Sequence, residues 1–262
     1  MSSHLQWRED CISWRNRVMN IVVIGATSGI AQAVAAKLAR EGHHLILAGR
    51  RMDELEAMAT DLSIRHRIEA YAAPFDALAF DTHEAFLASC QARFPQLDGV
   101  VLAYGYMGEQ KASETDMSIV KRTIDTNYTS CVSVLNLFAA YFEQRRSGWI
   151  CAISSVAGDR GRQSNYTYGS SKGALALYLQ GLRNRLSASG VHVLTVKPGF
   201  VDTKMTYGQE GMFLVAKPEK VADDIYKAIR KSKNVLYTPF FWRWIMLIIR
   251  LIPESIFKKL KL

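Results

Sequence analysis

The apolar run at 21–24 leads without interruption into Gly25-Ala26-Thr27-Ser28-Gly29-Ile30-Ala31, where a helical pattern begins. This junction constrains the fold more than any other feature of the chain. Strand, glycine turn and helix in immediate succession open a unit whose next strand lies parallel to the first. Glycine lets the backbone turn sharply and come close to a phosphate. The helix start adds unpaired N–H groups and the positive end of its dipole. Gly25, Thr27, Ser28, Gly29 and Ile30 are therefore candidates to hold the pyrophosphate of a dinucleotide. A glycine-rich turn alone is weak; its place between strand and helix gives it meaning.

The alternation continues along the chain. Strand-like runs fall at 21–24, 44–48, 68–72, 99–103, 149–154, 191–197 and 234–237. Helical patterns lie between them at 29–41, 51–63, 81–94, 115–145, 166–188 and 218–231. Several runs are apolar throughout, as strands covered on both faces are. The expectation is an α/β Rossmann fold, a doubly wound seven-stranded parallel sheet with helices on both faces. No repeat or Pro/Gly linker divides the chain. One domain is expected at 19–237, with an extension at 1–18 and a tail at 238–262. In the extension, Leu5 or Trp7, Cys11, Trp14 and Val18 fall at helical spacing, so it is either a short amphipathic leader or a poorly ordered segment.

In such a sheet, ligands sit beyond the carboxyl ends of the strands. The fifth run delivers Ser154-Ser155, and Tyr168-Gly169-Ser170-Ser171-Lys172 follows thirteen residues after Ser155. On a helix, positions i and i+4 share a face, which puts Tyr168 beside Lys172. A phenol with a pKa of about 10 is a poor proton source and sink at neutral pH. An adjacent ammonium is expected to bring it down, and Ser155 can hydrogen-bond a carbonyl oxygen as charge develops on it. Ser154 is expected to be structural. After the second run comes Gly49-Arg50-Arg51, where dinucleotide folds selective for NAD carry an acid. Arg50 and Arg51 suit a 2′-phosphate, so NADP(H) is favoured over NAD(H); the alternative is that Arg51 simply opens the next helix in solvent.

Composition narrows the class. With 49% hydrophobic and 22% charged residues, the chain has the profile of a folded globular protein. Cys11, Cys90, Cys131 and Cys151 form no metal-ligand spacing, so neither zinc nor structural disulfides are expected. The net charge of +9 is concentrated at one end: nine lysines and arginines fall within 227–262 against the single acid Glu254. A basic tail on a neutral body does not make a nucleic-acid surface. The polar residues 1–17 carry no secretory signal, which leads to the expectation of a cytoplasmic protein. Residues 240–252 are strongly apolar and rich in aromatics, but Arg243 and Arg250 interrupt them. The run is shorter than the roughly 20 apolar residues that span a bilayer. It either lies on the inner face of a membrane as a peripheral contact or packs on the core or a second subunit.

Taken together, the Gly-x3-Gly turn, Ser155, Tyr168-x3-Lys172 and Pro198-Gly199 after the sixth run resemble the classical short-chain dehydrogenase/reductase family across 19–262. The resemblance implies a homo-oligomeric NAD(P)-dependent oxidoreductase working at a carbonyl/alcohol carbon, with Ser155, Tyr168, Lys172 and Asn127 as its catalytic set. Asn127 would hold a water that joins Lys172 to solvent. Asp76 with Ala77 would meet the adenine. Ala103 and Gly105, in Ala103-Tyr104-Gly105, stand where many members have Asn-Ala-Gly, so the polar residue that begins the motif is absent. Pro198, Gly199, Val201 and Thr203 would meet the nicotinamide, and 204–218 would form a substrate lid. A narrower likeness, in Phe75-Asp76-Ala77-Leu78, Asn127-Tyr128-Thr129, Ser164-Asn165-Tyr166 and the ending from Ile252 to Leu260, is to the decaprenylphosphoryl-2-keto-ribose reductases. It implies a lipid-linked (polyprenyl-phosphoryl) 2-keto sugar as substrate and a flavoenzyme oxidase as partner. A soluble ketone, steroid or acyl carbonyl is the alternative substrate. A cofactor-binding sensor without turnover is the alternative from another class.

Overall fold

The structure, a computed structural model, describes residues 17–203 and 214–260. Seven strands run in the order β1 (Asn20–Ile24), β2 (His44–Gly49), β3 (Ala70–Pro74), β4 (Gly99–Leu102), β5 (Trp149–Ile153), β6 (His192–Pro198) and β7 (Val235–Thr238). They form one parallel sheet of spatial order β3-β2-β1-β4-β5-β6-β7. The order reverses between β1 and β4, and that gap is where a crevice opens beyond the strand ends.

The period of two in each strand divides the core into two layers. Ile21 and Val23 of β1, Val101 of β4 and Trp149, Cys151 and Ile153 of β5 face one layer. There they meet α1 (Gly29–Arg40), α2 (Met52–His66) and α8 (Pro218–Arg230). Val22, Ile24, Val100, Leu102, Ile150 and Ala152 face the other. That layer holds α3 (His83–Arg93), α6 (Ser130–Arg145) and α7 (Tyr166–Ser187).

Two expectations are corrected. The third strand lies two residues later than 68–72, because pairing with β2 sets Ala70 against Leu45 while Ile68 is buried ahead of the strand. The single helix expected at 115–145 is broken. The span holds α5 (Met117–Ile124), a π turn at Asp125–Thr129 and α6, and a separate short α4 (Gln110–Ser113) precedes it. Asp116 opens α5 by accepting the Ser118 N–H at 2.8 Å. The tail, for which the sequence leaves packing on the core open, folds as α9 (Trp242–Leu251) and α10 (Glu254–Phe257), with Trp242 1% exposed. The leader at 1–16 and residues 204–213 of the expected lid lie outside the described residues. The described end of that lid returns to the sheet side, with Ala216 bridged to Val201.

Candidate active site

The turn after β1 is held from both sides. Gly25 takes φ +81°, and a Cβ there would come within 2.8 Å of the Tyr104 backbone nitrogen, so only glycine fits. Ser28 caps α1, accepting the Ala31 N–H at 3.4 Å while donating its hydroxyl proton to the Ala103 carbonyl at 2.8 Å. This second bond ties the phosphate-binding turn to the end of β4. Ala103 thus contributes through its backbone oxygen although the polar side chain usual at this place is missing.

Both expected arginines reach the cleft, but they differ. Arg51 opens α2, pairs with Glu54 at 2.8 Å and donates to the Thr27 carbonyl at 3.3 Å. Arg50 forms no ion pair among the described residues and is exposed. Asp76 makes a local turn, accepting the Leu78 N–H at 3.0 Å.

Tyr168 and Lys172 stand one turn apart on α7, directly against the short helical turn Val156–Gly158 that Ser155 caps. The Ser155 hydroxyl accepts the Ala157 N–H at 3.1 Å. It also hydrogen-bonds the Tyr168 phenol, which lowers the phenol's pKa. Burial is the larger effect and pushes Tyr168 up to about 12. The sequence expectation that Lys172 brings this phenol down is therefore not met by the protein's own groups. The Lys172 ammonium lies 5.9 Å from the centre of the Tyr168 ring and donates to the Ile153 carbonyl at 3.0 Å. Burial lowers its own pKa. Ser154 donates to the Lys172 carbonyl at 2.9 Å, fastening β5 to α7.

Asn127 sits in the π turn and is fully buried. Its Oδ1 accepts the Tyr106 N–H at 2.7 Å, and its Nδ2 donates to the Tyr106 carbonyl at 2.7 Å and to the Ser171 hydroxyl at 2.9 Å. A Cβ at Gly105 would stand 3.2 Å from Asn127 Oδ1 and 3.3 Å from Lys172 Nζ, so these two groups converge on one glycine.

A single cleft of about 650 Å³ gathers these pieces. Gly25, Thr27, Ser28, Gly29, Ile30, Arg50, Arg51, Asp76, Ala77, Ala103 and Gly105 line it together with Ser155, Tyr168, Lys172, Pro198, Gly199, Val201 and Thr203. Asn127 stands behind the wall. Phe75, Leu78, Tyr106, Met107, Arg122 and Thr126 also line the cleft, beyond the residues to which the sequence points. Phe75 and Leu78 flank Asp76 in sequence and could have been found; Arg122 and Thr126 come from the broken helix and carried no signal. Arg122 stacks over the Tyr106 ring at 4.4 Å. Tyr104, between Ala103 and Gly105, is anchored by its hydroxyl to Ser130 at 3.0 Å and packs against Phe75. Among the described residues no cluster of side chains could hold a metal.

The far wall is braced by the C-terminal segment. Gly199 lies directly on the Trp242 indole, where any Cβ would overlap the ring. Asp159, just past the Ser155 turn, accepts from Lys197 of β6 and from the Tyr237 hydroxyl of β7 at 2.7 Å. Its neighbour Arg160 donates to the carbonyls of Ile249 at 2.5 Å and Ile252 at 2.7 Å, pairs with Glu254 at 2.9 Å and stacks on Phe257.

The short chain dehydrogenase family model matches residues 19–211. An uncharacterized oxidoreductase of Mycobacterium tuberculosis is 33% identical over 240 residues, 92% of this chain and 96% of that protein. Another, from Streptomyces coelicolor, is 33% identical over 242 residues, 92% of this chain and 95% of its own length. Among solved structures, a short-chain dehydrogenase from Sphingobium yanoikuyae in complex with NADPH superposes with a TM-score of 0.77 at 24% identity. The match covers 88% of this chain and 92% of that one.

Proposed function

The chain belongs to the short-chain dehydrogenase family, and from that premise we propose that it is an NADP(H)-dependent ketoreductase acting on a lipid-linked 2-keto sugar. The observation that carries the ketoreductase reading is the convergence of Ser155, Tyr168 and Lys172 on the wall of the same cleft as the glycine turn. The cofactor, when bound, supplies the hydride. The cleft fits such a group: a close-approach glycine, a capped helix start and two arginines are the features that a phosphorylated dinucleotide needs. Gly25, Thr27, Ser28, Gly29 and Ile30 would hold its pyrophosphate, and Arg50 with Arg51 its 2′-phosphate. Asp76 and Ala77 would hold its adenine. Ala103, Gly105, Pro198, Gly199, Val201 and Thr203 would hold its nicotinamide end. NAD(H) remains the alternative should neither arginine meet a phosphate.

Tyr168 would donate a proton to the product alkoxide; burial keeps its phenol in the protonated form, and the Ser155 hydrogen bond acts the other way. Ser155 would bond the same oxygen. Lys172 would refill the proton, and Asn127 would keep the Tyr106 segment and the space beside Lys172 in order. The keto-sugar substrate rests on the narrower sequence likeness at 75–78, 127–129, 164–166 and 252–260. A 2-keto sugar must first be made by oxidation of the alcohol, the step for which we propose a flavoenzyme partner. Such a substrate would be met at the inner face of a membrane. We further propose a homo-oligomer.

The test is NADPH oxidation with a panel of polyprenyl-phosphoryl 2-keto-pentose, free 2-keto sugars and soluble ketones, run beside Tyr168→Phe. The lipid-linked ketone is expected to be preferred, and the variant to lose roughly two to four orders of magnitude in turnover while still binding NADPH. Preference for a soluble ketone would replace the substrate assignment. A Tyr168→Phe enzyme of near-normal rate would remove the mechanism.

A further inference from the structure

Helix α9 is apolar on nearly every side. Trp242, Ile245, Met246 and Ile249 form an inner stripe packed with Val156, Phe200 and Tyr237. Trp244, Leu247, Ile248 and Leu251, at the same i, i+3, i+4, i+7 spacing, form a second stripe that faces outward. Trp244 is 56%, Ile248 65% and Leu251 72% exposed. Phe240, Ile256 and Leu260 add to this exposed apolar surface. A helix that is hydrophobic all round belongs where both faces are covered. Large exposed apolar patches mark an interaction surface.

Charge says what covers it. Arg243 and Arg250, seven residues apart, line the edge of the outer stripe beside Leu247, and Lys258 and Lys259 follow; all four are exposed. The only acid between residues 240 and 260 is Glu254, already paired with Arg160. A two-fold contact with a second copy would set these cations against their own kind with no acid to offset them. An anionic lipid surface meets both features at once: indole and phenyl rings favour the interface, and lysines and arginines favour the headgroups. No helix among the described residues is long and apolar enough to cross a membrane. Ten residues of helix, about 15 Å, suit a segment lying in the interface plane.

We propose that the outer face of α9, with α10, docks the protein on an anionic lipid bilayer. The inner stripe of the same helix touches Val156, next to Ser155, and Phe200, next to Gly199. The docked surface is thus separated from this wall of the cleft by one helix, about 10 Å with its side chains. Delivery of a lipid-borne ketone across that distance rests on the function proposed above; the docking itself does not.

The experiment is sedimentation of the full-length protein with vesicles of phosphatidylcholine alone and of equimolar phosphatidylcholine and phosphatidylglycerol. The protein is expected to pellet with the anionic vesicles at low salt, with a blue shift of tryptophan emission, and to be released as salt rises. Arg243→Gln and Lys258→Gln should each weaken binding about fivefold. Leu247→Glu combined with Leu251→Glu should abolish it while turnover of a soluble ketone is retained, showing the fold intact. No pelleting with anionic vesicles, equal pelleting on phosphatidylcholine alone, or undiminished pelleting of the double variant overturns the proposal. So does a dimer that the double variant dissociates in protein that never binds vesicles, because a second copy then covers the face. Vesicle binding without reduction of the lipid-linked ketone would overturn the substrate assignment and leave the docking standing.

Discussion

Arg50 and Arg51 are adjacent in sequence and unlike in circumstance. Arg51 is engaged by Glu54 and by the Thr27 carbonyl, so part of its work is to open α2 and brace the glycine turn. Arg50 is the one with no ion pair among the described residues, and it lines the cleft. Replacing Arg50 with alanine is therefore expected to weaken NADPH binding about tenfold or more, the loss of a charge-assisted hydrogen bond, while NADH binding changes little. Arg51→Ala should weaken both cofactors, because the Thr27 carbonyl loses its partner. Cofactor titration by fluorescence checks this; equal effects of Arg50→Ala on the two cofactors would show that it meets no phosphate. Tyr168 teaches a related lesson. Pairing at i and i+4 is legible in the sequence, but whether the ammonium or burial dominates the phenol is set by what surrounds it, and here burial does.

At the scale of elements, two junctions matter most. The π turn at Asp125–Thr129 slips the helical ladder by one residue and puts Asn127 inside, against the backbone of Tyr106. Such turns recur at functional sites because they re-aim one side chain without ending the helix. The other junction is Arg160, which satisfies the last carbonyls of α9, groups that no helix can satisfy from within. It joins the segment that follows Ser155 to the C-terminal helices. Arg160→Met keeps the length of the side chain and removes those bonds. It should lower stability by about 1–3 kcal/mol and raise hydrogen exchange across 249–257 ahead of the sheet. Unchanged exchange there would mean that Trp242 and Met246 alone hold the helix down.

At the scale of the whole molecule, the sheet seals two layers, and the edges of those layers carry titratable groups. His43, 2% exposed beside Met19 and Tyr226, accepts the Met19 N–H on Nδ1 at 3.3 Å. Burial, helped by Arg230, pulls its pKa from 6.5 to about 4. The folded protein therefore prefers the neutral ring, so the contribution is complete above pH 6.5 and is lost as pH falls towards 4. The difference amounts to an order of 3 kcal/mol. Melting temperature should fall over that window, and His43→Gln should flatten the fall even if it lowers the plateau. An identical pH slope in the variant would assign the acid sensitivity to other groups, such as His192, which burial also takes to about 4.

What the sequence determined by itself was whatever depends on near neighbours along the chain. The seven strands, the starts of α1, α2, α7 and α8, the Gly25–Ile30 turn and the Tyr168–Lys172 pair all follow from periods of 2 and 3.6 and from the turn chemistry of glycine. Ala103 and Gly105, Pro198 and Gly199 were legible because they follow strands. Tertiary structure alone decided the rest, because it depends on groups far apart in sequence meeting in a crowded interior. The start of β3 was set by pairing with β2, and the break at Asn127 by the Tyr106 backbone 21 residues away. Within the tail, burial differs residue by residue. Trp242 went under Gly199 because glycine leaves room there for an indole, while Trp244, two positions on, was turned outward by the 100° step of the same helix.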